Sequence, residues 1–439
     1  MSNQTLLNRS LQSVWHPCTQ MKHHEHFPLI PIERGDGVWL IDADGKRYLD
    51  ALSSWWVNLF GHNNPRIKDA IKLQLDTLEH VMLAGFTHEP VVNLSEKLAK
   101  LTGLGHAFYA SDGASATEIA LKMSFHYWRN LHADAKAKPL KTKFISLKNS
   151  YHGETLGALG VTDVAIFKDT YAPLLMQSAQ MPSPDFRLSA AGESAEDFAL
   201  RCALALELYI SEHHHELAAF IIEPLVQCAA GMAMYHPSYL RRAREICTQY
   251  EVHLIADEIA VGFGRTGTMF ACEQADIKPD FMCLSKGITG GYLALSAVLT
   301  TEKVYQAFYD DSALKGFLHS HSYTGNPLAC SAALATLAIF DTDQVIAKNK
   351  QKAAYLASQA SVFNDLPIKH LRQQGMILAF DVQSKQTKFA SACYTAALSQ
   401  GLLLRPIGNT VYFMPPYTTT ESEIDFMIEA TLGALRQLL

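Results

Sequence analysis

Short unbroken apolar runs alternate with stretches of helical period through the middle of the chain. FISL (144–147), AFIIEPLV (from Ala219), VHLIA (from Val252), FMCLS (from Phe281) and ALSAVL (from Ala294) are rich in β-formers and lack polar alternation. Strands of that composition are covered on both faces of a mainly parallel sheet. Between them, ATEIALKMSFHYW places Ile119, Met123 and Tyr127 on one helical face, and SYLRRAREICTQY places Leu240, Ala243, Ile246 and Tyr250 on another. The alternation predicts an α/β fold with a mainly parallel central sheet.

The two ends of the chain read differently. VWLIDADGKRYLDA predicts a hairpin with a type I′ turn at Asp44-Gly45. GMILAFDV, LLLRP and VYFMP read as strands interleaved with helices, the last being ESEIDFMIEATLGALRQLL. Residues 56–340 are therefore assigned to a large α/β domain, and 1–55 with 341–439 to a smaller α+β domain. AKAKPLKTK around Pro139 reads as a polar connector before a strand.

Composition narrows the class. The 439 residues are 48% hydrophobic, enough to bury a large core. With 37 basic and 43 acidic side chains the net charge is −6, which argues against a nucleic-acid or polybasic membrane surface. The start, MSNQTLLNRSLQSVWHP, has the pattern of neither a signal nor a transit peptide, and no apolar run is long enough to span a bilayer. A cytoplasmic, unprocessed protein is expected. The eight cysteines, spread widely and without a C-x-x-C pair, read as buried reduced thiols.

The candidate chemistry centres on two strand ends. Asp257 and Glu258 close one predicted strand and Lys286 another, and in an open α/β sheet such ends line the ligand crevice. A buried lysine can form a Schiff base, and a carboxylate facing a pyridine nitrogen keeps that ring protonated. Taken singly, Lys286 could be an exposed strand end and Asp257 a helix cap. GFGRTG (Gly262, Gly264, Gly267) matches a dinucleotide fingerprint, but TMFACEQADIKPD offers no long helix directly after it, so the nicotinamide reading is set aside.

Tyr151 in KNSYHGETLG offers an aromatic face, with Gly153 for a sharp turn. ASDGASATEIA sets Gly113 before a helix whose first N–H groups suit a phosphate, unless Ser111 or Asp112 simply caps it. Ser322 and Thr324 precede another helix, Trp55 and Trp56 could wall a substrate pocket, and Arg405 could clamp a carboxylate. The histidine groups at 23–26 and 213–215 read as solvated, and no metal site is expected. Hydrolase and P-loop motifs are absent.

Taken together, IIEPLVQ, ADEIAVGFGRTG, CLSKGITGG and HSYTGNPLA resemble the class III aminotransferases, fold type I enzymes of pyridoxal 5′-phosphate, over nearly the whole chain. WHPCTQM, SSWWVNLFGHNNP, HVMLAGFTHEP, KNSYHGETLG and LRPIGNTVYFMPPY are similar to the branch that aminates 8-amino-7-oxononanoate to 7,8-diaminononanoate for biotin. The resemblance implies Lys286 as Schiff-base lysine and Asp257 as partner of the pyridinium nitrogen. It implies Tyr151 and Ile259 on the two ring faces, and Gly113 and Ala114 at the phosphate. His321 and Ser322 would complete the phosphate site from the neighbouring subunit of a homodimer. Trp55, Trp56, Ser320 and Arg405 would bind substrate, with Arg265 and Tyr412 as further candidates. Cys18 stands where the branch members that use S-adenosylmethionine carry a tyrosine, so S-adenosylmethionine and lysine are both candidate donors. Ala114 replaces a usual serine, and Ser320 a frequent glycine.

Other readings are an ω-amino acid or diamine aminotransferase or an aminomutase, which would share Lys286 and Asp257, and a non-catalytic oligomer of the same fold.

Overall fold

A computed structural model describes residues 2–25, 27, 29–132 and 141–439. His26, Pro139 and most of the polar connector around Pro139 lie outside the described residues. The chain divides into two compact units, Arg66–Ile346 and Met1–Pro65 with Ala347–Leu439.

The larger unit is built on a seven-stranded sheet in the order His106–Ala110, Ser296–Thr300, Phe281–Leu284, His253–Asp257, Leu217–Ile222, Lys143–Leu147, Ala179–Met181. Every pairing is parallel except the two made by Ser296–Thr300, which runs antiparallel to both neighbours. Register puts Ile255 beside Ile221 on one side and Phe281 on the other. The four central strands are buried at every residue. That explains their unbroken apolar sequences, because both faces are packed.

One face is covered by the helix Gly113–His132, which buries Ile119, Met123 and Tyr127 as the spacing requires. Tyr127 and Trp128 pack their rings around His253, whose Nδ1 lies 2.9 Å from the Ser124 hydroxyl. Burial pushes His253 down to about 4, so it is a neutral core residue. The helix Pro237–Gln249 buries Leu240, Ala243 and Ile246, while Tyr250 falls at its C-cap. The parallel strands all end at the same edge of the sheet, where Lys148, Glu223, Asp257 and Lys286 follow their last residues or stand among them.

The smaller unit holds a four-stranded sheet (Ile32–Asp36, Trp39–Asp42, Arg47–Asp50, Leu402–Leu403) and a three-stranded antiparallel sheet (Ile368–Gln374, Ile377–Val382, Thr410–Phe413). Leu49, Phe363, Phe380, Phe413 and Met427 share its core with the closing helix Glu421–Arg436. The unit boundaries fall at 65/66 and 346/347 rather than at 56 and 340. Residues 56–65 stay with the smaller unit because His62 and Gly37 exchange backbone hydrogen bonds and the Tyr417 N–H donates to Leu59 O at 2.7 Å.

The hairpin forms between Trp39–Asp42 and Arg47–Asp50, but its turn is not type I′. Only Gly45 has a positive φ (86°); Asp44 does not, because the Asp42 carboxylate accepts the N–H groups of Asp44 and Lys46 and organises the loop from its first residue. Among the described residues no single helix is long and apolar enough to cross a membrane. Seven cysteines are buried, whereas Cys18 is exposed, contrary to the expectation that all are core thiols.

Candidate active site

In the larger unit the strand His253–Asp257 delivers Asp257 to the carboxyl edge, where it is 4% exposed. Its Oδ2 accepts from His152 Nδ1 at 2.7 Å, and its Oδ1 accepts the Ile259 N–H at 3.1 Å. The first bond fixes the imidazole with its proton on Nδ1 facing the carboxylate. His152 is itself buried and held through its backbone by Thr162 and Thr117.

Lys286 opens a short 3-10 turn, Lys286–Thr289, two residues after the strand Phe281–Leu284. Its φ is +44°, a left-handed conformation that β-carbon sterics disfavour. Desolvation lowers its pKa, opposed by the nearby Cys228, Asp257 and Glu223. More of the lysine is therefore free amine at neutral pH than an exposed lysine would be, while acidic groups remain close by.

Glu223 follows the strand Leu217–Ile222, which stops before Glu-Pro instead of running through AFIIEPLV. Its carboxylate accepts the N–H of Tyr151 at 3.0 Å and of Cys228 at 3.1 Å. Burial raises it to about 7; His152 lowers it and Asp257 raises it.

The Tyr151 turn packs directly on the start of the helix Gly113–His132. Gly153 has φ +123°, and a Cβ there would lie 2.6 Å from the Ala114 Cβ, so no other residue fits. A Cβ on Gly113 would meet Ile259 Cγ2 at 3.0 Å. Asp112 caps the helix by accepting the Ser115 N–H at 2.9 Å, which leaves the preceding N–H groups of the first turn for an anion. Both expectations for this segment, cap and anion site, are compatible because they use different N–H groups. The Tyr151 hydroxyl donates to Glu154 at 2.9 Å, and its ring meets Phe167 edge-on at 5.5 Å.

Residues 262–267, the GFGRTG segment, form tight turns with no helix opening from them. Arg265 within it is 1% exposed. Glu258 anchors the loop by accepting the N–H groups of Ala271 and Cys272 at 2.9 and 2.8 Å. Burial raises Glu258 from 4.5 to about 7. The fold favours its neutral form, so this stabilisation is complete below pH 4.5 and is lost as pH rises through 7. Glu258→Gln should therefore flatten the decline of stability over that window by up to about 1.4 kcal/mol per pH unit. Below pH 4.5 its stability should be lower, because one acceptor is lost, and the difference should shrink as pH rises through 7. Thermal unfolding across the window checks this; an unchanged slope would mean that Glu258 is ionised there.

The smaller unit carries a second group. Ser53, Ser54, Trp55 and Trp56 have φ of 51°, 46°, 71° and 73°, four successive left-handed residues without a glycine. Each such residue costs about 1–3 kcal/mol and persists only where its surroundings impose it. Trp56 is buried and donates from Nε1 to the Tyr412 hydroxyl at 3.2 Å. Trp55 is 46% exposed, with the Arg405 guanidinium 4.8 Å above its ring. Cys18 also has a positive φ, 52°.

Ser320 and Ser322 are exposed on the segment before the helix Pro327–Asp343. His321 lies beside His319, with Nε2 atoms 3.0 Å apart, and its carbonyl accepts the Thr324 hydroxyl. Among the described residues no group of three His, Cys, Asp or Glu could hold a metal ion. His24, read as solvated, is buried with Nε2 3.0 Å from Thr19 Oγ1.

Sequence reasoning missed His152 and Glu223. His152 adjoins Tyr151 but carries no signal that it turns inward. Glu223 precedes a proline at a strand end, a position that usually marks only termination.

The larger unit therefore brings together an amine of lowered pKa, a histidine-held carboxylate, an aromatic side chain and helix-start N–H groups, with the Tyr151 turn packed against the helix start so closely that Gly153 has no room for a Cβ. This set suits pyridoxal phosphate: an aldehyde for Lys286, a pyridine nitrogen for Asp257, and a dianion for the Gly113–Ala114 backbone.

The class-III aminotransferase family model matches residues 20–435. The adenosylmethionine-8-amino-7-oxononanoate aminotransferase of Helicobacter pylori is 47% identical over 98% of this chain and 97% of its own. The crystal structure of the enzyme of that name from Methanocaldococcus jannaschii superposes with a TM-score of 0.91 at 36% identity, covering 100% of both chains. The ω-transaminase of Pseudomonas jessenii in complex with PMP superposes with a TM-score of 0.92 at 30% identity, covering 99% of this chain and 98% of its own.

Proposed function

The chain belongs to the class-III aminotransferase family, and from that premise we propose that it aminates 8-amino-7-oxononanoate to 7,8-diaminononanoate in biotin synthesis, with S-adenosylmethionine as donor. It is a pyridoxal phosphate-dependent aminotransferase acting on small molecules. The observation that carries the reading is the placement of Lys286, in its left-handed turn, and of the His152-held Asp257 at adjacent strand ends on the carboxyl edge of the sheet. Similarity to the Helicobacter enzyme supports the substrate assignment.

Pyridoxal phosphate, when bound, supplies an electron sink for the carbon that loses a proton. Lys286, as a free amine, takes that proton and returns it, a task that its lowered pKa favours. Asp257, oriented by His152, holds a proton on the ring nitrogen. Tyr151 and Ile259 would confine the ring from its two faces, and Gly113 and Ala114 would donate to the phosphate. On this reading the protein is a homodimer in which His321 and Ser322 serve the neighbouring copy. Trp55, Trp56, Ser320, Arg265 and Tyr412 contribute to substrate binding, and Arg405 binds a substrate carboxylate. Cys18 supplies no aromatic face for adenine, so lysine is the second candidate donor.

Donor and acceptor use the same groups in turn, so initial rates measured against one substrate at several fixed levels of the other should give parallel double-reciprocal lines. Intersecting lines would contradict the scheme. Lysine replacing S-adenosylmethionine in the same assay decides the donor.

A further inference from the structure

The left-handed run Ser53–Trp56 is bracketed by a buried polar network that the transamination chemistry does not use. Asp50 ends the strand Arg47–Asp50 with its side chain wholly buried. Its Oδ1 accepts the Leu52 N–H at 3.2 Å, and its Oδ2 accepts both the Ser54 hydroxyl at 2.7 Å and His62 Nε2 at 3.1 Å. His62 Nδ1 lies 3.1 Å from Asn58 Nδ2, immediately beyond the turn. The backbone of His62 is fixed by its exchange with Gly37. Gly35 packs so closely that a Cβ there would stand 2.5 Å from the His62 Cβ. On the other side, the Ser53 hydroxyl donates to Met414 O at 2.8 Å.

One carboxylate thus ties the residue before the turn, a residue within it and a histidine beyond it. A run of strained residues needs surroundings that over-determine it, and this network is what surrounds it. Its product is a tryptophan pair with one ring buried and the other half-exposed beneath Arg405.

We infer that Asp50 and His62 are positioning residues that hold Trp55 and Trp56 in the left-handed turn and thereby set affinity for the amino-oxo acid acceptor. The affinity part rests on the function proposed above; the turn-holding part does not. Neither residue touches the reacting atoms, so the loss expected is in binding rather than in chemistry.

Asp50→Asn keeps the shape and removes the charge and one acceptor, and His62→Ala removes the donor to Asp50. For each holoenzyme, KM for 8-amino-7-oxononanoate should rise about tenfold with kcat changed less than about threefold. Amide hydrogen exchange in peptides spanning residues 52–58 should speed up about tenfold, while peptides from the strand 253–257 stay as in the wild type. A purely structural role would lower stability without the KM shift. Unchanged exchange at 52–58 in a folded variant overturns the inference, as does an unchanged KM where wild-type turnover is present. If the wild type does not aminate the acceptor but exchange rises in the variants, the functional reading fails and the turn-holding role stands.

Discussion

Lys286→Ala should lower kcat for amination of 8-amino-7-oxononanoate by at least about 10⁴-fold. That is about 5.5 kcal/mol of barrier, more than the loss of any binding contact would produce. The size follows from two roles carried by one amine: linking the cofactor, and moving the proton at the reacting carbon. A second readout separates these from general damage. The wild-type protein should keep its visible absorbance through gel filtration, whereas the variant should release the cofactor or hold it with an altered band. Alanine pays the same β-carbon cost as lysine in the left-handed conformation at 286, so the backbone strain is unchanged and thermal unfolding should show the variant still folded. Turnover within tenfold of the wild type would remove Lys286 from the chemistry.

Asp257→Asn should cost about 10³-fold in kcat, with a smaller change in KM. Asparagine keeps the shape of the side chain and one acceptor oxygen, which can still take the Ile259 N–H, while its Nδ2 faces His152 Nδ1 and can bond there only if the imidazole proton moves to Nε2. What disappears is the negative charge that keeps a proton on the ring nitrogen, and with it the electron sink. His152→Ala leaves that charge in place and removes the donor that orients it, so its loss should be smaller, about tenfold. Steady-state kinetics of the two variants check the order. An Asp257→Asn enzyme as active as the His152 variant would mean that position, not charge, is what the carboxylate supplies.

The central strands were legible because they are buried on both faces and so consist of unbroken β-forming apolar residues, as in VHLIA and FMCLS. The edge strands His106–Ala110 and Ala179–Met181 were not, because each is short and partly exposed and its sequence alternates weakly. Asp257, Lys286 and Gly113 stood out because strand ends and helix starts are where an α/β sheet places ligands. His152 and Glu223 act through neighbours distant in sequence, Asp257 and Tyr151, and no local pattern encodes such a contact.

The turn at Ser53–Trp56 lies furthest from local prediction. Serine and tryptophan have no preference for positive φ, so only the tertiary network around Asp50 and His62 explains their conformation. The Asp42-centred hairpin loop shows the same effect on a smaller scale, with side-chain bonds replacing the backbone preference that Asp-Gly suggests.

The most direct measurement incubates the cofactor-loaded protein with 8-amino-7-oxononanoate and S-adenosylmethionine, follows the visible absorbance, and identifies products by mass spectrometry. The donor alone should bleach the cofactor band, the acceptor should restore it, and 7,8-diaminononanoate should accumulate. A band that responds to lysine but not to S-adenosylmethionine, with the same product, would change the donor alone. No diaminononanoate with either donor would contradict the assignment.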